Sequence, residues 1–241
     1  MRNEVFKNRQ HDPRITYRGA TASRLDNLTD AVFGIAITLL IFNLANPNSF
    51  EDLLTFTKTL PAFLISISFL VLIWKEHLEF SEIYTLNDTR LTILNTIFIA
   101  LVIFYVYPLR FLTLFLTNTF FNTDIDVSIQ GEQVPYLMIY YGFVAFALYF
   151  VLYLFYRRAD TIKNELNFSK FEAFYTKNQK QRLLIMFSVP LISIILTFIF
   201  NEFSFIWASI AGGVTYCLYT PLIFWWYSKF NKQSRAFDAE R

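Results

Sequence analysis

The sequence predicts an all-α, polytopic membrane protein with six transmembrane helices. Of the 241 residues, 55% are hydrophobic and only 17% are charged, whereas soluble domains carry roughly 25% charged residues. The mean hydropathy is +0.39. The apolar residues also form long continuous runs, and a single globular core of this length cannot bury so much apolar surface. The natural solvent for the excess is lipid.

Six segments are long enough to cross a bilayer, because a helix needs roughly 20 apolar residues to span the hydrocarbon core. They are residues 25–46, 53–75, 91–116, 134–156, 183–201 and 205–227. Lipid offers the backbone no hydrogen bonds, so each span must be a helix that pairs its own backbone groups. We expect four prolines to kink these helices rather than end them: Pro61, Pro108, Pro190 and Pro221.

The polar ends of the chain suggest a simple domain organisation. Residues 1–23 form a polar tail in front of the first span, so this span is not expected to be a cleaved signal peptide. We expect residues 24–230 to form one transmembrane domain and residues 231–241 a second cytoplasmic tail.

The distribution of basic residues predicts the orientation. All 21 lysines and arginines except Lys58 and Arg110 lie in the two tails, between spans two and three, or between spans four and five. The opposite connections, residues 46–52, 117–133 and 201–204, contain none. By the positive-inside rule, both termini lie in the cytoplasm. An even number of spans agrees with this, because it puts the two termini on the same side of the membrane. We expect a multi-pass protein of the plasma membrane.

The connection at residues 160–180 has its own pattern. Phe168, Phe171, Phe174 and Tyr175 recur at helical spacing with lysines between them. This pattern is compatible with a short helix lying on the inner membrane surface. It is equally compatible with a solvated loop that carries scattered aromatic residues.

The polar residues of the first three spans lie at one depth. All are within about two helical turns of the predicted cytoplasmic boundary: Arg24, Thr29, Asp30, Trp74, His77, Arg90 and Asn95. Asp30 is too deep in its helix for free solvation, so its carboxylate needs a partner. His77, Arg24 or Asn95 can supply one if the three helices pack together.

Ordinary helix caps and interface anchors explain much of the same pattern. Ser23 and Asp26 match a capping box, and Trp74 is compatible with a place in the interfacial aromatic belt. The second half of span one contains no charged residue. There, Ile35, Thr38, Leu39 and Phe42 recur at i, i+3, i+4 and i+7 and share one face. Since any apolar helix has such a face, spacing alone favours packing over a pore.

Span one nevertheless resembles a known signature. Residues 24–30 read Arg-Leu-Asp-Asn-Leu-Thr-Asp, and residues 36–40 read Ala-Ile-Thr-Leu-Leu. This is similar to the first helix of the transmembrane protein 175 family, the non-canonical potassium channels of endolysosomes and their bacterial relatives. That signature has Arg, three residues, then Phe-Ser-Asp, and an apolar run with Ala-Ile-Thr-Leu-Leu. Leu28 and Thr29 replace its Phe and Ser, so the hydroxyl is kept and the ring is lost.

The second and third helices carry the same resemblance over residues 20–110. The family has a Trp followed three residues later by a His, then an Asp, a Leu-Asn pair and a proline. The matching positions here are Trp74, His77, Asp88, Leu94-Asn95 and Pro108.

The resemblance implies a bacterial-type subunit with a single repeat of six helices. Four such subunits assemble around a central pore, which is lined by the first helix of each subunit. It implies apolar constrictions at Ile35, Leu39 and Phe42, and a ring of Thr38 hydroxyls that helps to prefer potassium. It also implies a structural network that holds the pore helix, formed by Arg24, Thr29, Asp30, Trp74, His77 and Asn95. The chain has no Thr-Val-Gly-Tyr-Gly filter.

Two function classes remain: a homotetrameric potassium-preferring cation channel, or a small transporter or sensor that binds a ligand at the polar cluster. A carboxylate is missing from the middle of the spans, which weighs against an ion-coupled transporter. One Cys and two His cannot build a zinc site, and the spans contain no catalytic constellation. We therefore expect no enzyme activity, no cofactor, no metal besides permeating potassium and no nucleic-acid partner.

Overall fold

In the computed structural model, the regular elements of the described residues are all helical. The structure describes residues 12–19, 22–42, 48–85, 88–121, 127 and 129–239. The helices are α1 (Arg24–Phe42), α2 (Phe50–Lys58), α3 (Leu60–Tyr84), α4 (Thr89–Phe121), α5 (Val134–Thr161), α6 (Lys170–Asn201), α7 (Phe205–Thr215) and α8 (Tyr219–Ala239). Short 3₁₀ turns precede α5 and join α7 to α8.

Helix α1 begins with the predicted capping box. The backbone N–H of Asp26 donates to Ser23 Oγ at 3.2 Å, and the Ser23 N–H donates to an Asp26 carboxylate oxygen at 2.8 Å. One face of the helix packs on α3 and α4 through buried Phe33, Ala36 and Leu40. The capping-box prediction is therefore confirmed.

The segment predicted as span two consists of two helices. A side-chain cap on α2 joins Ser49 and Asp52, and α2 ends at Thr59, whose hydroxyl donates to the Phe56 carbonyl at 2.7 Å. Helix α3 then starts with Pro61 in its first turn, and residues 50–58 and 63–84 make an angle of 49°. The expectation that Pro61 kinks a continuous helix is wrong, because a proline without an N–H fits best in a first turn.

Two of the other prolines lie inside continuous helices, as predicted. Pro108 is within α4 and Pro190 within α6. The Tyr141 hydroxyl of α5 donates to the Pro108 carbonyl, which ties the two helices together at this point. Pro221 lies in the first turn of α8, within the helical segment 205–237, so it does not end that segment. It has no N–H to bond the carbonyl of Cys217, and the chain there forms a 3₁₀ turn between α7 and α8.

Residues 170–180 belong to α6, which is 32 residues long and begins 13 residues before the predicted span. A capping box between Ser169 and Glu172 starts the helix, with N–H to oxygen distances of 2.7 and 3.1 Å. The Phe174 ring packs on Phe230 and Phe237 of α8 at centroid distances of 5.7 and 4.9 Å. The segment is thus neither a solvated loop nor a separate helix on the membrane surface.

Among the described residues, four helical segments are long and apolar enough to cross a membrane: residues 89–115, 131–161, 170–201 and 205–237. The bent pair α2–α3 is a fifth if it is counted as one span. The 19 residues of α1 are about 28 Å long at 1.5 Å per residue. The count of six spans stays a prediction. Helix α8 continues to Ala239, so most of the predicted C-terminal tail is helical.

The N-terminal segment at residues 12–19 packs on the helices rather than extending from them. Ile15 is buried, and the Thr16 N–H donates to Glu172 at 2.9 Å. The Arg18 guanidinium forms an ion pair with Glu172 at 2.9 Å, and the Gly19 N–H donates to the Glu82 carbonyl at 2.9 Å. Glu172 therefore joins this segment to the start of α6.

We expect the substitution Glu172→Gln to release the N-terminal segment. It removes the charge that pairs with Arg18 and weakens the cap of α6, with a cost of about 1–3 kcal/mol. Trypsin should then cleave after Arg14 and Arg18 faster than in the wild type, and the thermal unfolding midpoint of the detergent-solubilised protein should fall. Glu165→Gln is the control, because Glu165 is exposed and lies four residues before Ser169, outside the helix cap. Equal cleavage rates in all three proteins would contradict the proposed attachment.

Candidate functional site

Three helices are joined by a chain of hydrogen bonds between buried side chains. The Asn95 amide of α4 donates to Thr29 Oγ1 of α1 at 2.9 Å. The Asn95 carbonyl oxygen lies 2.9 Å from His77 Nε2 of α3. Because an amide oxygen only accepts, Nε2 carries the proton in this arrangement. The Thr29 hydroxyl donates onward to the Leu25 carbonyl at 3.0 Å. We call Thr29, His77 and Asn95 the buried network.

Aromatic rings enclose the buried network. The His77 imidazole stacks on Phe98 with a centroid distance of 5.2 Å and an interplanar angle of 12°. Phe155 of α5 approaches its edge at 5.7 Å. The void beside His77 and Asn95 measures only about 10 Å³, which is at the lower limit for a single water molecule. The void therefore leaves no room for a ligand larger than a water molecule, and the structural role of the network stays a prediction.

Asp30 has a different partner from those considered in the sequence. Trp74 Nε1 donates to Asp30 Oδ1 at 2.7 Å, so an indole rather than His77, Arg24 or Asn95 satisfies the carboxylate. Both residues border an open cavity of about 650 Å³. Arg24 is exposed at the start of α1, and within the described chain no hydrogen bond or ion pair connects it to the other members. Its role in the network stays a prediction.

The face of α1 opposite the buried network is open. Ile35 is 55% exposed, and Thr38 is also exposed. The Thr38 hydroxyl donates to the Gly34 carbonyl at 2.8 Å, which leaves its oxygen lone pairs directed away from the helix. Leu39 is partly buried against the core, so it does not fully share this face. The side chain of Phe42 lies outside the described residues. The pore-lining roles of all four residues stay predictions.

Ion pairs between α3 and α6 were missed by the sequence analysis. Arg182 forms a two-pronged contact with Glu76, in which Nη1 donates to Oε1 at 2.7 Å and Nη2 contacts Oε2. One turn further along α3, Glu79 accepts from the Tyr175 hydroxyl. The i, i+3 spacing of Glu76 and Glu79 at the end of an apolar span was the available signal, since it places both carboxylates on one face. Their partners are about a hundred residues away and could not be assigned from the sequence.

This geometry defines a class: a helical membrane protein whose first helix is held on one side by buried polar contacts and is open on the other. A sequence profile of the family described as endosomal/lysosomal potassium channel TMEM175 matches residues 24–105, which include the buried network and the open face. A potassium channel from Marivirga tractuosa is 35% identical over 232 residues, covering 93% of this chain and 94% of that protein.

A solved structure of a related channel matches most of the chain. The crystal structure of the potassium channel MtTMEM175, a T38A variant in that protein's own numbering bound to a nanobody–MBP fusion protein, matches with a TM-score of 0.83. The identity is 33%, and the match covers 92% of this chain and 99% of that chain. The chain belongs to the TMEM175 family, as the resemblance of residues 20–110 predicts. The matched proteins are named as channels rather than enzymes.

We expect Asn95→Ala to destabilise the protein more than a matched change at an exposed position of the same helix. It leaves the buried Thr29 and His77 side chains without their shared partner, at a cost of about 1–3 kcal/mol. Thr96→Ala on the next residue is the matched control, because the Thr96 hydroxyl is exposed and bonds only within its own helix. Thermal unfolding in detergent measures the difference. If both variants unfold at the same temperature, the buried network does not hold the three helices together.

Proposed function

We propose that this protein is a subunit of a homotetrameric cation channel that prefers potassium and is lined by α1. The observation that carries the proposal is the two-sided character of α1. Thr29 is bonded to Asn95 of α4, which is itself bonded to His77 of α3. Ile35 and Thr38, in contrast, remain uncovered by the described chain. The potassium channels to which the chain is related support the nature of the permeating ion.

Several copies are needed to form the pore, because one helix cannot enclose a path. The number four follows from the family resemblance, and closed cyclic symmetry is the usual arrangement of identical subunits. The assembly then has four times the subunit mass of 28.5 kDa. It is a multi-pass protein of the plasma membrane, and the basic residues of its tails and of residues 157–182 favour a cytoplasmic position for both termini.

Ile35 forms a ring of apolar side chains around the axis in this proposal, with Leu39 and Phe42 further along the helix. A narrow apolar ring repels water, so an ion pays part of its hydration free energy to pass it. Thr38 offers a ring of hydroxyl oxygens beside this barrier. Because each hydroxyl proton is already donated to Gly34, the oxygen is free to replace part of the hydration shell of a cation.

A transporter or sensor that binds its ligand at the polar cluster is not favoured. Thr29, His77 and Asn95 satisfy one another, and the void beside them is about 10 Å³. A ligand would have to break these hydrogen bonds before it found any partner.

The pore assignment predicts distinct effects for two substitutions. Ile35→Asn should hydrate the barrier and raise ion flux by about tenfold, which corresponds to only about 1.4 kcal/mol of barrier height. Thr38→Ala removes the hydroxyl oxygens and should reduce the preference for potassium over sodium without blocking flux. Reversal potentials under bi-ionic conditions and flux from liposomes measure both effects on purified protein.

Ile195→Asn on α6 is the matched control, because Ile195 is 48% exposed but belongs to a helix that is not proposed to line the pore. It should change neither flux nor reversal potential. Val144→Asn, at a buried position of α5, should impair folding instead. Unchanged conductance and reversal potential in well-folded Ile35→Asn and Thr38→Ala proteins would show that α1 does not line the pore. If the purified wild-type protein shows no uncoupled potassium flux, the proposed channel function is wrong.

A further inference from the structure

A basic groove lies between the start of α4 and the end of α5. Its volume is about 510 Å³. Its lining combines three arginines with a threonine and three apolar side chains: Arg90, Arg157, Arg158, Thr161, Ile93, Leu94 and Leu154. We call this the arginine groove. It lies on α4 and α5, away from the open face of α1 that carries Ile35 and Thr38.

One arginine of the groove is held in place by an acidic neighbour. Arg158 Nε donates to Asp88 Oδ2 at 2.6 Å, and its terminal nitrogen is also 2.6 Å from that oxygen. The other Asp88 oxygen accepts from the Leu91 N–H at 2.9 Å, so Asp88 both caps α4 and neutralises Arg158. Asp88 therefore links the two helices that form the walls.

The other two arginines have no such neutralisation. Arg90 and Arg157 are both exposed, and across the described part of the chain neither guanidinium has a hydrogen-bond or ion-pair partner. They come from different helices and line one groove. Two uncompensated positive charges that converge in this way suit a phosphate group, which guanidinium groups bind in a bidentate manner.

The remaining lining suits an acyl chain. Ile93 is 56% exposed, and Leu94 and Leu154 are partly buried beside it. Arg90 lies in the first turn of the apolar segment 89–115, and Ile93 lies in the second turn. The arginine therefore sits at the polar boundary of the segment, and the isoleucine lies further into its apolar part. Charge at one end and an apolar surface at the other are the features of a phospholipid site.

We propose that the arginine groove binds an anionic glycerophospholipid, with the headgroup phosphate between Arg90 and Arg157 and an acyl chain along Ile93 and Leu154. By the topology proposed above, the groove faces the inner leaflet. Lipid binding itself does not depend on channel activity. Basic pockets between the cytoplasmic ends of membrane helices are suited to such headgroups.

The test compares two lipids with identical acyl chains, phosphatidylglycerol and phosphatidylcholine, added to the full-length protein in detergent. Native mass spectrometry counts the bound lipids, and thermal unfolding measures stabilisation. Phosphatidylglycerol should bind the wild type more tightly and raise its unfolding midpoint more. The variant Arg90→Gln/Arg157→Gln should weaken phosphatidylglycerol binding by about 30-fold, because one basic residue near an anionic headgroup contributes about a fivefold change in affinity.

Lys163→Gln/Lys170→Gln is the matched control, since it removes the same charge from two exposed residues outside the groove. It should leave binding within about twofold of the wild type. Arg90→Lys/Arg157→Lys keeps the charge but loses the bidentate contacts, so its affinity should fall between those of the wild type and the glutamine variant. It provides the test if the glutamine variant fails to fold. Equal binding of the two lipids to the wild type would overturn the proposal. So would equal losses in the groove and control variants, or a groove variant that binds normally but no longer assembles, because the groove would then be a subunit interface.

Discussion

The hydrogen bond between the Asn95 amide and Thr29 fixes the orientation of α1 about its own axis. Thr29 is fully buried, and its hydroxyl meets an amide that is itself held by His77. Thr38 is nine residues further along, which is about two and a half helical turns. It therefore points away from the partners of Thr29. Turning α1 about its axis so that Thr38 faced inward would break the hydrogen bond between Asn95 and Thr29 and leave the buried Asn95 amide without this partner.

Polar contacts near one end of the bundle and apolar contacts along its length have different tasks. The Glu76–Arg182 pair joins α3 to α6, and the Glu172–Arg18 pair joins α6 to the N-terminal segment. These directional contacts fix which helices are neighbours. Apolar packing, such as that of Leu70 and Val102 in the core, is less directional and fills the space between them. The proposed pore helix is thus positioned by a few specific contacts, while its open face remains available to neighbouring subunits.

The helical class and most of the apolar segments could be predicted from the sequence, because the cost of unpaired backbone groups in lipid leaves few alternatives. Local signals also worked: the cap at Ser23 and the prolines inside α4 and α6 lie where expected. Hydropathy alone did not reveal that α6 begins at Lys170, since a polar helical extension has no apolar run. Its capping residues, Ser169 and Glu172, are the local signal of this start.

The polar cluster was predicted as a group, but its pairing was not. Residues at one depth in adjacent spans are expected to meet, and Thr29, His77 and Asn95 do. Which donor reaches which acceptor depends on helix rotation and tilt, and these are set by packing throughout the bundle. For this reason the partner of Asp30 is Trp74, a residue that the sequence suggested equally as an interfacial anchor. The break at Thr59 has a local cause that hydropathy does not contain, since the Thr59 hydroxyl bonds the Phe56 carbonyl and Pro61 lies in the first turn of α3.

The most direct test of the account is the chemical accessibility of α1 in a conducting protein. Thr38→Cys and Ala36→Cys would be made in a Cys217→Ser background, because Cys217 is exposed. Ala36 is fully buried against the other helices of its own subunit. A small cationic thiol reagent should block potassium flux through Thr38→Cys and leave Ala36→Cys unaffected, and high potassium should slow the block. Flux that persists after complete modification of Thr38→Cys would contradict a permeation path along this face.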